Sequence, residues 1–461
     1  MDADLRSIAQ ARDCVERASI AFDQFRGASQ EDIDRIVETM SRAAAREAGR
    51  LGSLAVEETG HGNAADKRMK NLFNALSVAE WLRHVRTVGV LWKDERTKVM
   101  AVAEPMGVVA ALIPVTNPTA TVIFKVLSAV KAGNAIVCAP HPRGVRSGVE
   151  TTAVLAAAAD EAGAPPNLIQ CLSEVTLDGT SELMRHRRTS VVMATGGSDM
   201  VRAAYSCGKP TLAVGPGNVP VFVDASKRHD LEEVADQILT SKAFDYGTAC
   251  VAEQAVVAHR EIARPLRDAI STKGGYFCTP SEAQALAAVM FEPNGRQVPN
   301  HVAQPASRLA EMAGFDVPPR TRVLVAEASE IGRQVPLSRE KLNPVLAYYE
   351  AGSHDDAYRL CEAVLAFGGI GHSAAVHTND ARVKAQFSML PVGRLLINTP
   401  CALGGMGYST DLEPSFMLGT GTWSGSIVSD NVTALHLINI KRIAEETRPW
   451  RSFSEIERKA P

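Results

Sequence analysis

Residues 107–140 read GVVAALIPVTNPTATVIFKVLSAVKAGNAIVCAP. An apolar run is broken by a Pro/Asn turn, followed by apolar residues at helical spacing, an Ala-Gly-Asn stop and a second apolar run. Such runs carry no polar alternation, so both strands must be covered on both faces, and a helix between two such strands makes them parallel neighbours. The alternation continues through "RSGVETTAVLAAAADEAG", "NLIQCLS", "SVVMAT", "SDMVRAAYSCG", "TLAVG" and "VPVFVD" to residue 224. It predicts a doubly wound parallel sheet with helices on both faces. Ligands bind such sheets at the carboxyl ends of the strands.

A second α/β series begins near residue 243 with "VAEQAVVAH" and runs through "RVLVAEA", "VLAYYE", "SAAVHT" and "RLLIN". Ahead of both, residues 1–85 place apolar residues at helical spacing, and "VGVLWKDERTKVMAVAEP" (88–105) sets a charged turn between extended segments. The organisation expected is a Rossmann-type nucleotide-binding domain from 1–87 and 105–242, a hairpin at 88–104 for subunit contact with part of 430–461, and an α/β catalytic domain at 243–429. Residues 279–320, rich in Pro, Asn and Gly, are expected to form an irregular excursion.

A chain of 461 residues with 46% hydrophobic content, 22% charged content and a formal net charge of -3 is large enough for two cores. It has no basic excess to attract nucleic acid or an acidic membrane. The N-terminus is charged every few residues and no later run reaches membrane-spanning length, so a cytosolic location is expected. The eight cysteines are scattered without a C-x-x-C pair. They are expected as reduced thiols, binding no metal and forming no disulfides. Most fill buried apolar space. Cys250, in "FDYGTACVAEQ" at the head of a strand, is the one whose setting raises the question of chemistry.

The segment "GHGNAA" (60–65) fits G-x-G-x-x-A but follows a helical stretch, so the context of a dinucleotide fingerprint is missing. The strand ends "PVTNPT", "APHPRG", "ATGGSD" and "AVGPGN" instead converge as small or polar turns on one sheet edge, a candidate nucleotide site.

With these turns, "FDYGTACVAEQAVV", "EKLNPVLAYYE", "GGIGHSAAVHTND" and "RLLINTPCALGGMGYSTDLEPSFMLGTGTWSG", in this order, the chain resembles the CoA-acylating aldehyde dehydrogenases from about residue 85 to 445. The resemblance implies an aldehyde dehydrogenase-like fold and a reaction using a short aldehyde, NAD or NADP, and coenzyme A. It makes Cys250 the nucleophile, Asn117 an oxyanion donor together with the Cys250 backbone N–H, and His372 an assistant in thiol deprotonation. It places Thr195, Gly196 and Gly197 at the pyrophosphate, Glu340 at the nicotinamide-side ribose, and Gly215 among the cofactor-binding residues. His141 and Arg143 fall at the adenosine ribose, where Arg143 suits a 2′-phosphate as well. Hydrolytic relatives activate water with a glutamate at the position of Val214, and valine cannot accept a proton. The acyl-enzyme is therefore expected to await coenzyme A. The substrate pocket is expected to be small and hydroxyl-rich, with sulfoacetaldehyde as the substrate ahead of acetaldehyde and succinic semialdehyde, although no Arg or Lys in these segments is suited to seat a sulfonate. A homodimer or homotetramer is expected.

Overall fold

The computed structural model describes residues 2–453. Three helices open the chain, Ala3–Phe25, Gln30–Thr59 and Ala64–Leu72. The second is capped at its start by the Ser29 side chain, which accepts from the Asp32 N–H, and ended by Gly60 in the left-handed conformation. Strands β1 (Gly89–Asp94) and β2 (Val99–Pro105) then form the antiparallel hairpin read from the sequence.

Strands β3 (Val108–Ile113), β4 (Ala135–Pro140), β5 (Ile169–Cys171), β6 (Thr189–Thr195) and β7 (Thr211–Val214) make a parallel sheet in the order β5-β4-β3-β6-β7. Every residue of β3 and β4 is buried, which is why their sequences carry no alternation. The connecting helix Pro118–Lys131 is buried along its whole length between this sheet and the N-terminal helices.

Strands β8 (Val219–Val223), β9 (Glu253–His259), β10 (Gly275–Cys278), β11 (Val323–Glu327), β12 (Val345–Ala351), β13 (Gly371–His377) and β14 (Val392–Ile397) form a second, seven-stranded parallel sheet in the order β10-β11-β12-β9-β8-β13-β14. Strand β8 corrects the boundary drawn from sequence: "VPVFVD" reads as the last strand of the first series, yet it pairs with β9 and β13 in the centre of the second sheet. A buried apolar strand suits either sheet equally, so its sequence carries no mark of which one it joins. The helix Leu231–Ala243 likewise packs in the second core.

The stretch 279–320 is more regular than expected. It contains helices Pro280–Met290 and Ala306–Met312, the first begun by a capping box between Thr279 and Glu282 with Pro280 in the first turn. The T-x-x-E signal was present under the Pro- and Gly-rich composition. Finally β15 (Ile438–Ala444) adds to β2, completing a three-stranded antiparallel sheet. Residues 454–461 of the expected contact region lie outside the described residues. Among the described residues no helix is long and apolar enough to cross a membrane.

Candidate active site

The carboxyl edge of the five-stranded sheet faces the amino edge of the seven-stranded one, and the strand-end turns of the two meet there. Pro114–Asn117 follow β3, Thr195–Gly197 follow β6 and Gly215 follows β7, while Gly217 precedes β8, Cys250 precedes β9 and His372 opens β13. His372 Nε2 lies 3.2 Å from Cys250 Sγ, and its Nδ1 lies 3.1 Å from Ser373 Oγ. The approach is close because Gly217 has no side chain: a Cβ there would stand 2.4 Å from the Cys250 carbonyl oxygen and 3.0 Å from the His372 ring.

Burial dominates the electrostatics. It pushes the Cys250 thiol up to about 11, with Glu340 adding to the rise and Arg394 and Lys70 opposing it. Burial, then the Arg394 charge, brings His372 down to about 3. At neutral pH the pair is therefore a thiol beside a neutral imidazole. With Nδ1 protonated and donating to Ser373, Nε2 presents its lone pair to the thiol.

Asn117 occupies the N-cap position of helix Pro118–Lys131, but its side chain makes no capping bond. Its Oδ1 instead accepts from Lys70 Nζ at 2.8 Å, and its Nδ2 donates to the carbonyl of Thr248, two residues before Cys250, at 3.3 Å. The amide N–H group thus faces the cysteine loop.

Asn117, Cys250, Thr195, Gly196, Gly197, Gly215 and Glu340 all line one cavity of about 160 Å³. Its far wall is Thr121, Leu342, Met406, Phe416 and Leu418. The expected hydroxyl-rich wall is corrected here: of the small polar segment 399–425, the side chains that reach the cavity are a methionine, a phenylalanine and a leucine. Val214 lines the same cavity from the end of β7. Glu340, the single carboxylate among the lining residues, accepts the Gly217 N–H at 3.0 Å, and burial raises it to about 7. Glu340 and Pro216 also border a groove of about 1450 Å³ lined further by Ser198, Arg333, Arg339 and Phe367. Thr195 Oγ1 is buried without a partner, and a Cβ at Gly197 would meet open space. An elongated polar molecule entering along the groove fits this opening, with the bare Gly196–Gly197 backbone at its side.

His141 and Arg143 follow β4 on the same edge but are not among the residues lining either cavity. His141 Nδ1 accepts the Arg143 N–H at 3.1 Å, and the Arg143 guanidinium reaches the carbonyls of Thr59 (3.3 Å) and Pro299 (3.5 Å).

Three charged residues of the site were not singled out from sequence. Lys70 and Asp245 are buried beside Asn117 and Thr248. Arg394, buried on β14, donates to the carbonyls of His372 (3.1 Å), Gly419 (2.6 Å) and Ser429 (2.8 Å). An arginine in the otherwise apolar "GRLLIN" was the available signal, since a buried charge is kept only where it is fully partnered.

The aldehyde dehydrogenase family model matches residues 3–274. The bifunctional aldehyde-alcohol dehydrogenase AdhE of Escherichia coli (strain K12) is 37% identical over 95% of this chain and 50% of its own length, so the chain spans about half the length of that relative. The acylating sulfoacetaldehyde dehydrogenase of Cupriavidus necator is 36% identical over 93% of this chain and 88% of its own. Among solved structures, an acetylating aldehyde dehydrogenase from Geobacillus thermoglucosidasius superposes with a TM-score of 0.95 at 43% identity, covering 97% of this chain and 99% of that one. The chain belongs to the aldehyde dehydrogenase family. These relatives are acylating, acetylating or bifunctional members, and their names span more than one aldehyde.

Proposed function

We propose that the chain oxidises a short, uncharged aldehyde to its CoA thioester with reduction of NAD or NADP, using Cys250 as the nucleophile. The observation that carries this reading is Val214. It stands at the wall of the Cys250 cavity, at the position expected to hold the glutamate that activates water in hydrolytic members. The one carboxylate that lines the cavity, Glu340, is engaged by the Gly217 N–H.

In this reading the Cys250 thiol proton passes to His372 Nε2 as sulfur attacks the carbonyl carbon. The carbonyl oxygen gains negative charge within reach of the Asn117 amide N–H, and that donor, held before the reaction begins, lowers the barrier. A bound nicotinamide supplies the hydride acceptor; Thr195, Gly196, Gly197, Gly215 and Glu340 would hold that nucleotide, with His141 and Arg143 further along the edge. Cys250 then carries an acyl group that Val214 cannot help water to attack. Exchange with the coenzyme A thiol releases Cys250 and returns its proton.

The lining residues include no Lys or Arg. A sulfonate or carboxylate buried there would lack a partner, which costs several kcal/mol. The subtype expected from sequence, sulfoacetaldehyde, therefore gives way to an uncharged aldehyde such as acetaldehyde or propionaldehyde. Self-association through the three-stranded sheet is supported by Trp92, Ile440 and Ile443, each nearly half exposed on it.

Product analysis tests the reading. Aldehyde and NAD(P) without coenzyme A should give at most one equivalent of reduced nicotinamide per chain, and coenzyme A should restore steady formation of acyl-CoA. Steady release of free acid without coenzyme A, at a comparable rate, sinks it. In a screen of aldehydes, kcat/KM for acetaldehyde or propionaldehyde should exceed that for sulfoacetaldehyde and succinic semialdehyde by about tenfold or more. The opposite order would reinstate an anionic substrate.

A further inference from the structure

The segment GHGNAADKRMK (60–70) matches a nucleotide fingerprint only in its letters, and it does different work in the fold. Asn63 caps helix Ala64–Leu72 by accepting the Asp66 N–H, and its own N–H donates to Asp245 Oδ1 at 3.0 Å. Asp66 Oδ2 in turn accepts the Asp245 N–H at 2.8 Å. Gly62, at φ +74, packs so tightly here that a Cβ would fall 1.8 Å from Asp245 Oδ1. The helix then sends Lys67 and Lys70 to the same carboxylate, at 3.0 and 2.7 Å. All three side chains are buried.

What is clamped is the turn that delivers the nucleophile. Asp245, Tyr246 and Gly247 take φ values of +49, +52 and +80, a left-handed run that non-glycine residues seldom adopt and that persists only when surrounding contacts impose it. Thr248 and Cys250 follow directly. Burial works against the Asp245 charge, but Lys70 and Lys67 more than offset it and hold the carboxyl below its usual range.

We propose that Lys70 is a positioning residue for the reaction, acting through Asn117. An ammonium group has donors only. Its three go to Asn117 Oδ1 (2.8 Å), Asp245 Oδ2 (2.7 Å) and Thr248 Oγ1 (2.7 Å). Lys70 thereby forbids the flipped amide, which would aim Asn117 Oδ1 at the cysteine loop and repel a developing oxyanion. Its charge on the amide oxygen also draws electron density from Nδ2 and strengthens the N–H as a donor. Lys67 supports the same geometry from the other side, donating to the Thr116 carbonyl at 2.8 Å.

The inference rests on Asn117 being the oxyanion donor, so the test is a double-mutant cycle. Steady-state rates are measured for wild type, Lys70→Met, Asn117→Ala and the double variant, with acetaldehyde, NAD(P) and coenzyme A. Lys70→Met should lower kcat about 10- to 100-fold with KM changed less than about threefold, within the span of losing an oxyanion donor. In the Asn117→Ala background the same change should cost less than about threefold, because its route to the chemistry is already gone. Lys70→Arg, which also only donates, should recover at least about a third of the lost activity on a logarithmic scale. Equal losses in both backgrounds, or an unchanged kcat in Lys70→Met, overturn the proposal and leave Lys70 a structural ion-pair member. Should Lys70→Met fail to fold, the cycle of Lys70→Arg with Asn117→Ala is read by the same criterion. Full activity in Asn117→Ala alone would overturn the assignment of Asn117 instead.

Discussion

His372 Nε2 sits 3.2 Å from Cys250 Sγ, and both groups are held neutral by burial, the thiol raised to about 11 and the imidazole lowered to about 3. This differs from a preformed thiolate-imidazolium pair, in which the sulfur is charged before substrate arrives. In the proposed reaction, proton transfer and attack are therefore coupled, and Cys250 stays dormant until a carbonyl is in place.

Dormancy is measurable by alkylation. With the thiol near 11, only about one part in a thousand is thiolate at pH 8, so the rate of Cys250 modification by iodoacetamide in the ligand-free protein should climb about tenfold per pH unit from 7 to 10. Peptide mass analysis isolates Cys250 from the other cysteines. A rate flat between pH 5 and 8 would reveal a resting ion pair and contradict the arrangement described.

Replacing Cys250 with Ser should cut aldehyde-dependent reduction of NAD(P) to below about one hundredth of wild type, since loss of a nucleophile costs several powers of ten. Circular dichroism should be unchanged, because serine is close to cysteine in size and the half-buried position needs no repacking. A variant retaining more activity than that removes Cys250 from the reaction.

Gly217→Ala tests how tightly the two sheets must approach. The new Cβ would lie 2.4 Å from the Cys250 carbonyl oxygen, so the cysteine loop must move, and a displacement of about 1 Å from reacting geometry costs on the order of a hundredfold in kcat. Activity within about threefold of wild type would show that the loop yields at no cost to the chemistry.

Glu253, fully buried three residues after Cys250, accepts the Cys401 N–H at 2.9 Å while its second oxygen has no partner. Burial raises it from 4.5 to about 7. The folded chain thus holds this proton more tightly than the unfolded one. Its contribution to stability is complete below about pH 4.5 and is lost as pH rises through about 7, amounting to at most about 3 kcal/mol. Glu253→Gln keeps an acceptor and stays neutral, so its thermal midpoint should match wild type near pH 5 and exceed it at pH 8. Parallel curves across that range would mean that Glu253 is not protonated in the fold.

The strand-helix-strand unit at 107–140 was legible because its signals are local: apolar runs mark buried parallel strands, and helical periodicity with a Gly-Asn stop marks the crossover. Cys250, Asn117 and His372 were singled out through the family resemblance, and the fold brings them together where the carboxyl edge of the five-stranded sheet, after β3, meets the amino edge of the seven-stranded sheet at β9 and β13. The membership of β8 was not, because an all-apolar strand carries no mark of which sheet will bury it. Nor was the apolar wall of the cavity, since the composition of 399–425 does not say which side chains turn inward. The charged framework was the least visible. Lys70 meets Asp245 across 175 residues of sequence and Asn117 across 47, and Arg394 meets the His372 carbonyl across 22. A lysine on an amphipathic helix reads as solvated until its partner is known. What makes these charges affordable in the interior is a set of acceptors drawn from distant segments, and only the closed tertiary structure assembles it.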